Sequence, residues 1–160
     1  MKVYEAVERM YAELDSVEAL FSGLGLTISR EEFYSDSMLR ETSPERAKFV
    51  DVTLVLSVTG ADGVRAEHRI GIGAEIKHGE VSEAEYSEAE AELSRRVKEA
   101  LDMLRESEDT PSVIAELDRR ATEEYEKIVK NYEKAAPKMI AAIIITAVVA
   151  VALILFATFS

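Results

Sequence analysis

The sequence predicts an α+β fold: a small antiparallel sheet built around a β-hairpin, covered on one face by helices, then a stalk helix and a C-terminal transmembrane helix. Three observations carry that reading. Residues 50–58 and 66–76 alternate apolar with polar on either side of a glycine-containing loop, residues 3–21 and 86–104 repeat apolar residues at helical spacing, and residues 139–159 carry no charge. The expected organisation is a cytoplasmic α+β domain over 1–106, a stalk over 107–138 with coiled-coil character, and a tail anchor over 139–159.

The first helix follows from Val3, Val7, Met10, Leu14, Val17 and Phe21, which recur every three or four residues opposite a largely acidic side. Gly23 can end it. Leu24, Leu26 and Ile28 then alternate with small or polar residues and suggest a short strand. Residues 30–46 are ambiguous: Phe33 to Leu39 could prolong the strand or form a surface loop, and Ser43-Pro44-Glu45 fits a turn or a single helical turn with proline first.

The hairpin is the most specific local expectation. If Ala61-Asp62-Gly63 is a three-residue loop with Gly63 left-handed, Gly60 pairs with Val64 and every pair of residue numbers sums to 124. Leu56 then faces His68, Leu54 faces Ile70 and Val52 faces Ile72, all on one apolar side. A one-residue slip would set each against a polar neighbour, so the pattern fixes the register. The other side carries Asp51, Glu67, Arg69 and Glu75 and is mostly polar, which suits a sheet covered on one face.

A capping box of Ser82 and Glu85, with a Val81–Tyr86 staple, opens a second helix whose stripe runs Tyr86, Ala89, Leu93, Val97, Ala100, Leu101 and Leu104. Glu106-Ser107-Glu108-Asp109 breaks it. Thr110 as cap and Pro111 at the first position restart a third helix, with Ile114, Leu117, Ala121, Tyr125, Ile128, Tyr132 and Ala136 on one side.

All 19 basic and 31 acidic residues precede Met139, so the net charge of −12 falls on the polar part of the chain. A basic face for nucleic-acid backbone is missing, and no nucleic-acid partner is expected. Without cysteine, thiol nucleophiles, disulfides and Cys-type zinc sites are excluded; with two histidines, His-rich metal sites are excluded as well. The near absence of Asn and Gln beside abundant Glu, Lys and Arg fits heat adaptation, and the acidic surface fits salt adaptation equally well.

At about 1.5 Å per residue, Met139 to Phe159 matches the roughly 30 Å hydrocarbon core of a bilayer. Lys127, Lys130, Lys134 and Lys138 lie before that segment, so the positive-inside rule places the domain in the cytoplasm and the chain in the cell membrane as a single-pass, tail-anchored protein. Expected partners are the lipid bilayer and either a membrane protein or a second copy, joined through stalk and transmembrane helix.

Candidate chemistry is sparse. Gly71-Ile72-Gly73 lies inside a strand rather than at a strand-to-helix turn, so it reads as a close approach by Phe49 or by neighbouring backbone. His68 is expected on the core face, neutral and hydrogen-bonded, while His78 reads as exposed. The Asp51, Glu67, Arg69 and Glu75 group is the constellation with geometry for a cation or small ligand, against a reading as cross-strand ion pairs. Tyr4, Tyr11, Phe33 and Tyr34 could form an aromatic patch for a protein partner. No catalytic, cofactor-binding or metal-ligating residue is assigned, no cofactor is expected, and the chain reads as non-enzymatic: a membrane-anchored scaffold, adaptor or accessory subunit, with a membrane-held ligand sensor or small enzyme and a structural homo-oligomer as the alternatives.

Overall fold

The structure, a computed structural model, describes residues 1–37, 40–131 and 134. It forms two compact units, Met1–Asp118 and Arg119–Ser160. In the first, helix α1 (Val3–Phe21) is followed by strand β1 (Thr27–Ser37), strand β2 (Arg40–Glu41) and a single 3-10 turn at Pro44–Arg46. Strands β3 (Phe49–Thr59), β4 (Arg65–Lys77) and β5 (Glu80–Val81) come next, then helix α2 (Glu83–Glu106). A third helix, α3, runs through residues 110–131. The sheet has the order β2-β1-β3-β4-β5, and every pairing is antiparallel.

The hairpin register is the one the sequence dictates, from Phe49 with Glu75 to Thr59 with Arg65, including Leu56 with His68. Gly63 supplies the left-handed residue at φ +80°, and the Gly60 amide donates to the Val64 carbonyl at 2.8 Å to close the loop. β1 starts later and runs much further than expected: Leu24 and Leu26 precede it, and residues 30–37 continue it, pairing with β3 as far as Ser35. Arg30 and Glu32 alternate with polar residues and so hide the strand from a hydropathy reading. Both lie on the covered face yet reach past the core: Arg30 bonds Glu18 and sits 2.6 Å from Asp15, and Glu32 accepts from the Tyr11 hydroxyl at 2.5 Å.

α1, α2 and the start of α3 share one core with the covered face of the sheet. Met10, Leu14, Leu54, Leu56, Ile70, Tyr86 and Ile114 are wholly buried in it. Ala6 rather than Val3 occupies the first buried turn of α1, a shift of about one residue from the expected stripe. The staple forms as expected, with Val81 and Tyr86 both buried. Only half of the capping box does: the Ser82 hydroxyl accepts from the Glu85 amide at 3.5 Å, while the Glu85 carboxylate goes to Lys77 at 2.7 Å. The cap of α3 is Asp109, one residue before Thr110, since its carboxylate accepts from the Ser112 amide at 3.3 Å and from the Ser112 hydroxyl at 2.6 Å. Those bonds hold the Asp109 carboxyl below the usual range. Beyond the helix break at 107–109, Val113, Ile114 and Leu117 remain part of the domain core.

The expected transmembrane helix, and with it the tail-anchored, single-pass placement in the cell membrane, requires correction. Among the described residues no helix is long and apolar enough to cross a membrane. The physical reason is that each described helix keeps a charged side, such as Glu5, Glu8 and Asp15 on α1 or Glu88, Arg95 and Lys98 on α2. Met139 to Phe159 lies outside the described residues. Of the lysines that set the expected orientation, Lys127 and Lys130 are exposed on α3, and Lys130 pairs with Glu126 at 3.5 Å.

Candidate functional site

Helices cover one face of the sheet, and the strand register assembles the other row by row. Phe33, Asp51 and Gly73 form one row across β1, β3 and β4; Ser35, Phe49 and Glu75 form the next; Glu31, Thr53 and Gly71 flank it on the other side. Directly paired residues share a face and lie about 5 Å apart, so these side chains meet. All of these residues except Glu31, together with Val50 and Ala74 and with Ala89, Glu92 and Arg96 of α2, line a recess of about 640 Å³.

The two glycines make the recess. Gly71 and Gly73 leave room for a side chain of β3 to lie across β4: a Cβ on Gly73 would stand 2.5 Å from Oδ2 of Asp51, and one on Gly71 would stand 2.9 Å from Oδ1. The close approach expected from Phe49 or from backbone is thus made by the Asp51 carboxylate. Thr53 fixes it by donating its hydroxyl to Oδ1 at 2.5 Å. Among the described residues, Asp51 has no cationic partner within ion-pair distance, although it is half-buried.

The other members of the expected group behave differently. Glu67 lies 2.8 Å from Arg65 and 3.8 Å from Arg69, and Arg69 reaches Glu31 at 3.3 Å. Arg69 is paired with Val55 and Glu31 with Thr53, so this ion pair steps over the central strand, and Val55 beneath it is 3% exposed. Glu75 stays in the recess, with Lys77 at 2.8 Å. Glu92 is paired with both Arg95 and Arg96, whose hydrogen bonds pull its carboxyl down to about 2. The lining therefore holds three carboxylates (Asp51, Glu75 and Glu92) against one guanidinium (Arg96). The cross-strand reading accounts for Glu67 and Arg69; Asp51 is the carboxylate it leaves over.

No group of three His, Asp or Glu among the described residues could hold a metal ion. His68 lies on the covered face, as expected, and burial lowers its pKa, but among the described residues its Nδ1 lacks the hydrogen-bond partner that the sequence reading supposed. His78 is exposed in the two-residue turn between β4 and β5. The expected aromatic patch does not assemble. Tyr11 and Tyr34 gather around Glu32, with burial and that carboxylate pushing the Tyr34 phenol up to about 12; Phe33 points to the opposite face, and Tyr4 stands exposed near Glu5.

The chemistry of the recess is that of a cation receptor: a fixed carboxylate, two phenylalanines beside it, and a floor without side chains. An ammonium or guanidinium is attracted to aromatic faces as well as to the carboxylate. Sequence reasoning named Phe33 but set it with the tyrosines rather than beside Asp51, because its place depends on a β1–β3 register that no local pattern reveals. Comparisons with protein-family models, with curated proteins and with solved structures give no match for this chain.

Proposed function

We propose that Met1–Asp118 is a non-enzymatic binding module of the adaptor or scaffold kind, and that it takes a cationic side chain of a protein partner into the recess lined by Asp51, Phe33, Phe49 and α2. The observation that carries the reading is Asp51: a half-buried carboxylate without a counter-ion, held by Thr53 over two glycines and flanked by Phe33 and Phe49. A half-buried carboxylate retains more of its attraction for a cation than an exposed one, because solvent screens it less. Nucleophile, base and oxyanion donors in mutual reach do not occur around it, so binding rather than turnover is the activity this lining supports.

The test is a nuclear magnetic resonance titration of the full chain with butylammonium and butylguanidinium, with butyrate as the control. Backbone signals of Asp51, Gly71 and Gly73 should move with both cations and stay still with butyrate. Asp51→Asn should weaken that response about tenfold, the loss of roughly 1.4 kcal/mol expected for a charge-assisted contact. Equal responses to butyrate, or an unchanged Asp51→Asn titration, would remove the recess from the proposal.

A further inference from the structure

A second concave surface lies between α1 and α2. Val17, Leu93, Val97 and Leu101 form an apolar floor in a groove of about 430 Å³, and Leu20 stands at its rim 50% exposed. The two helices run in the same direction, since Arg9 meets Glu83 and Glu13 meets Glu90 in turn. The groove consequently has two unlike ends. At the first stands Glu13, with Glu90 of α2 near it; burial together with that neighbour holds Glu13 above the usual carboxylate range. Near the second is Arg105, which has no acidic partner among the described residues. Along α2 the acidic and basic ends are about 22 Å apart, taking 1.5 Å per residue.

We propose that this groove is the contact surface of a symmetric dimer, in which a second copy of the chain packs groove against groove. A two-fold axis across the groove exchanges its ends, so each Arg105 meets Glu13 and Glu90 of the other copy and each Leu20 enters the opposing floor. The occupant is a second copy because the surface is self-complementary: Glu13 at one end, Arg105 at the other, and between them apolar residues with a projecting leucine, where Lys98 and Asp102 neutralise each other at 2.9 Å. A uniformly basic or acidic helix would satisfy one end and repel the other. Two helices side by side present a patch about 22 Å by 20 Å, the size of weak, transient interfaces rather than of stable ones, so the dimer is reversible. It draws on Leu93, Val97 and Leu101 and leaves the uncovered sheet face free, so the inference stands apart from the cation recess.

Sedimentation velocity of the full chain over a hundredfold concentration range provides the test. Wild type should pass from monomer to dimer. Arg105→Glu and Glu90→Arg should each raise the dissociation constant at least about tenfold, the loss of one charge-assisted contact. The double variant Arg105→Glu with Glu90→Arg should restore dimerisation, which a general loss of folding could not do. Leu20→Arg should abolish it, with thermal melting checked to show that the domain stays folded. A wild-type monomer at every concentration would overturn the proposal. So would self-association that neither charge change weakens, since that would locate the contact elsewhere on the chain.

Discussion

On its covered side β3 presents Val50, Val52, Leu54 and Leu56, all sealed from solvent, whereas on the other side the same strand presents Phe49, Asp51, Thr53, Val55 and Ser57. The first set is constrained by volume and polarity, so another apolar set of similar shape would serve the core. The second set is constrained by chemistry: Asp51 needs Thr53 to hold it and glycines opposite to admit it. Even burial has different causes on the two sides. Leu54 lies under helices, while Val55 lies under a side-chain ion pair.

The sharpest way to break the contrast is a charge on the covered side. Leu56→Asp should cost several kcal/mol and unfold the full chain, because it places an unpaired carboxylate in the core. Thr59→Asp, exposed at the end of the same strand, should shift the urea midpoint by less than about 0.5 kcal/mol equivalent. A silent Leu56→Asp would reverse the assignment of faces. Leu54→Ala follows, with an expected loss of about 2–5 kcal/mol from the cavity it leaves.

His68 gives a smaller effect that depends on pH. Its pKa in the fold lies below the ordinary 6.5, with burial as the leading cause, opposed by Asp118 and Glu99 and assisted by Arg96. The unfolded chain therefore binds the proton more readily than the folded one. Stability should fall as pH drops below about 6.5, with a slope of at most about 1.4 kcal/mol per pH unit from this group, and should not respond to it well above that pH. Since Nδ1 has no partner to lose, His68→Leu should flatten this part of the profile and keep or raise stability at pH 7. A steeper loss in the leucine variant would contradict that account.

Tyr86→Phe is expected to be neutral or stabilising by up to about 1 kcal/mol, since the buried hydroxyl has no hydrogen-bond partner in the structure. Thermal melting decides it. The smallest stability effects belong to the uncovered side: Asp51→Asn should leave the midpoint unchanged while weakening cation binding. Gly73→Ala should do the same by another route, because its methyl group would stand 2.5 Å from the tip of the Asp51 side chain and push it aside, with the Val50 carbonyl oxygen next at 3.3 Å. A large loss of stability in Gly73→Ala would mean that the carboxylate cannot move.

What was legible in the sequence follows the same division. β3 and β4 announce themselves because alternation and a short loop are local, and together they leave one register. β1 does not, because Arg30, Glu31 and Glu32 find their partners in α1 and β4, remote in the chain. Asp51 and Glu75 were recognisable as a pair on the polar face, but the meaning of Gly71 and Gly73 was not, since it depends on where a neighbouring side chain leans. The transmembrane expectation came from the length of an uncharged stretch and the lysines before it, and hydropathy identifies a stretch that avoids water without saying what surrounds it.

The two-residue strands β2 and β5 have a consequence for how this chain meets its neighbours in a crowded solution. Each covers only one end of a long strand, so the outer backbone of β1 over Thr27–Tyr34 and of β4 over Arg65–Glu75 has no strand partner among the described residues. Such edges template the addition of foreign strands and, through it, fibrillar aggregation. Here the β1 edge carries Arg30, Glu31 and Glu32 and the β4 edge carries Arg65, Glu67 and Arg69, so an arriving strand would have to displace ion pairs before it could dock. The charges that disguise β1 in the sequence thus act as gatekeepers, keeping a five-stranded sheet from growing a sixth.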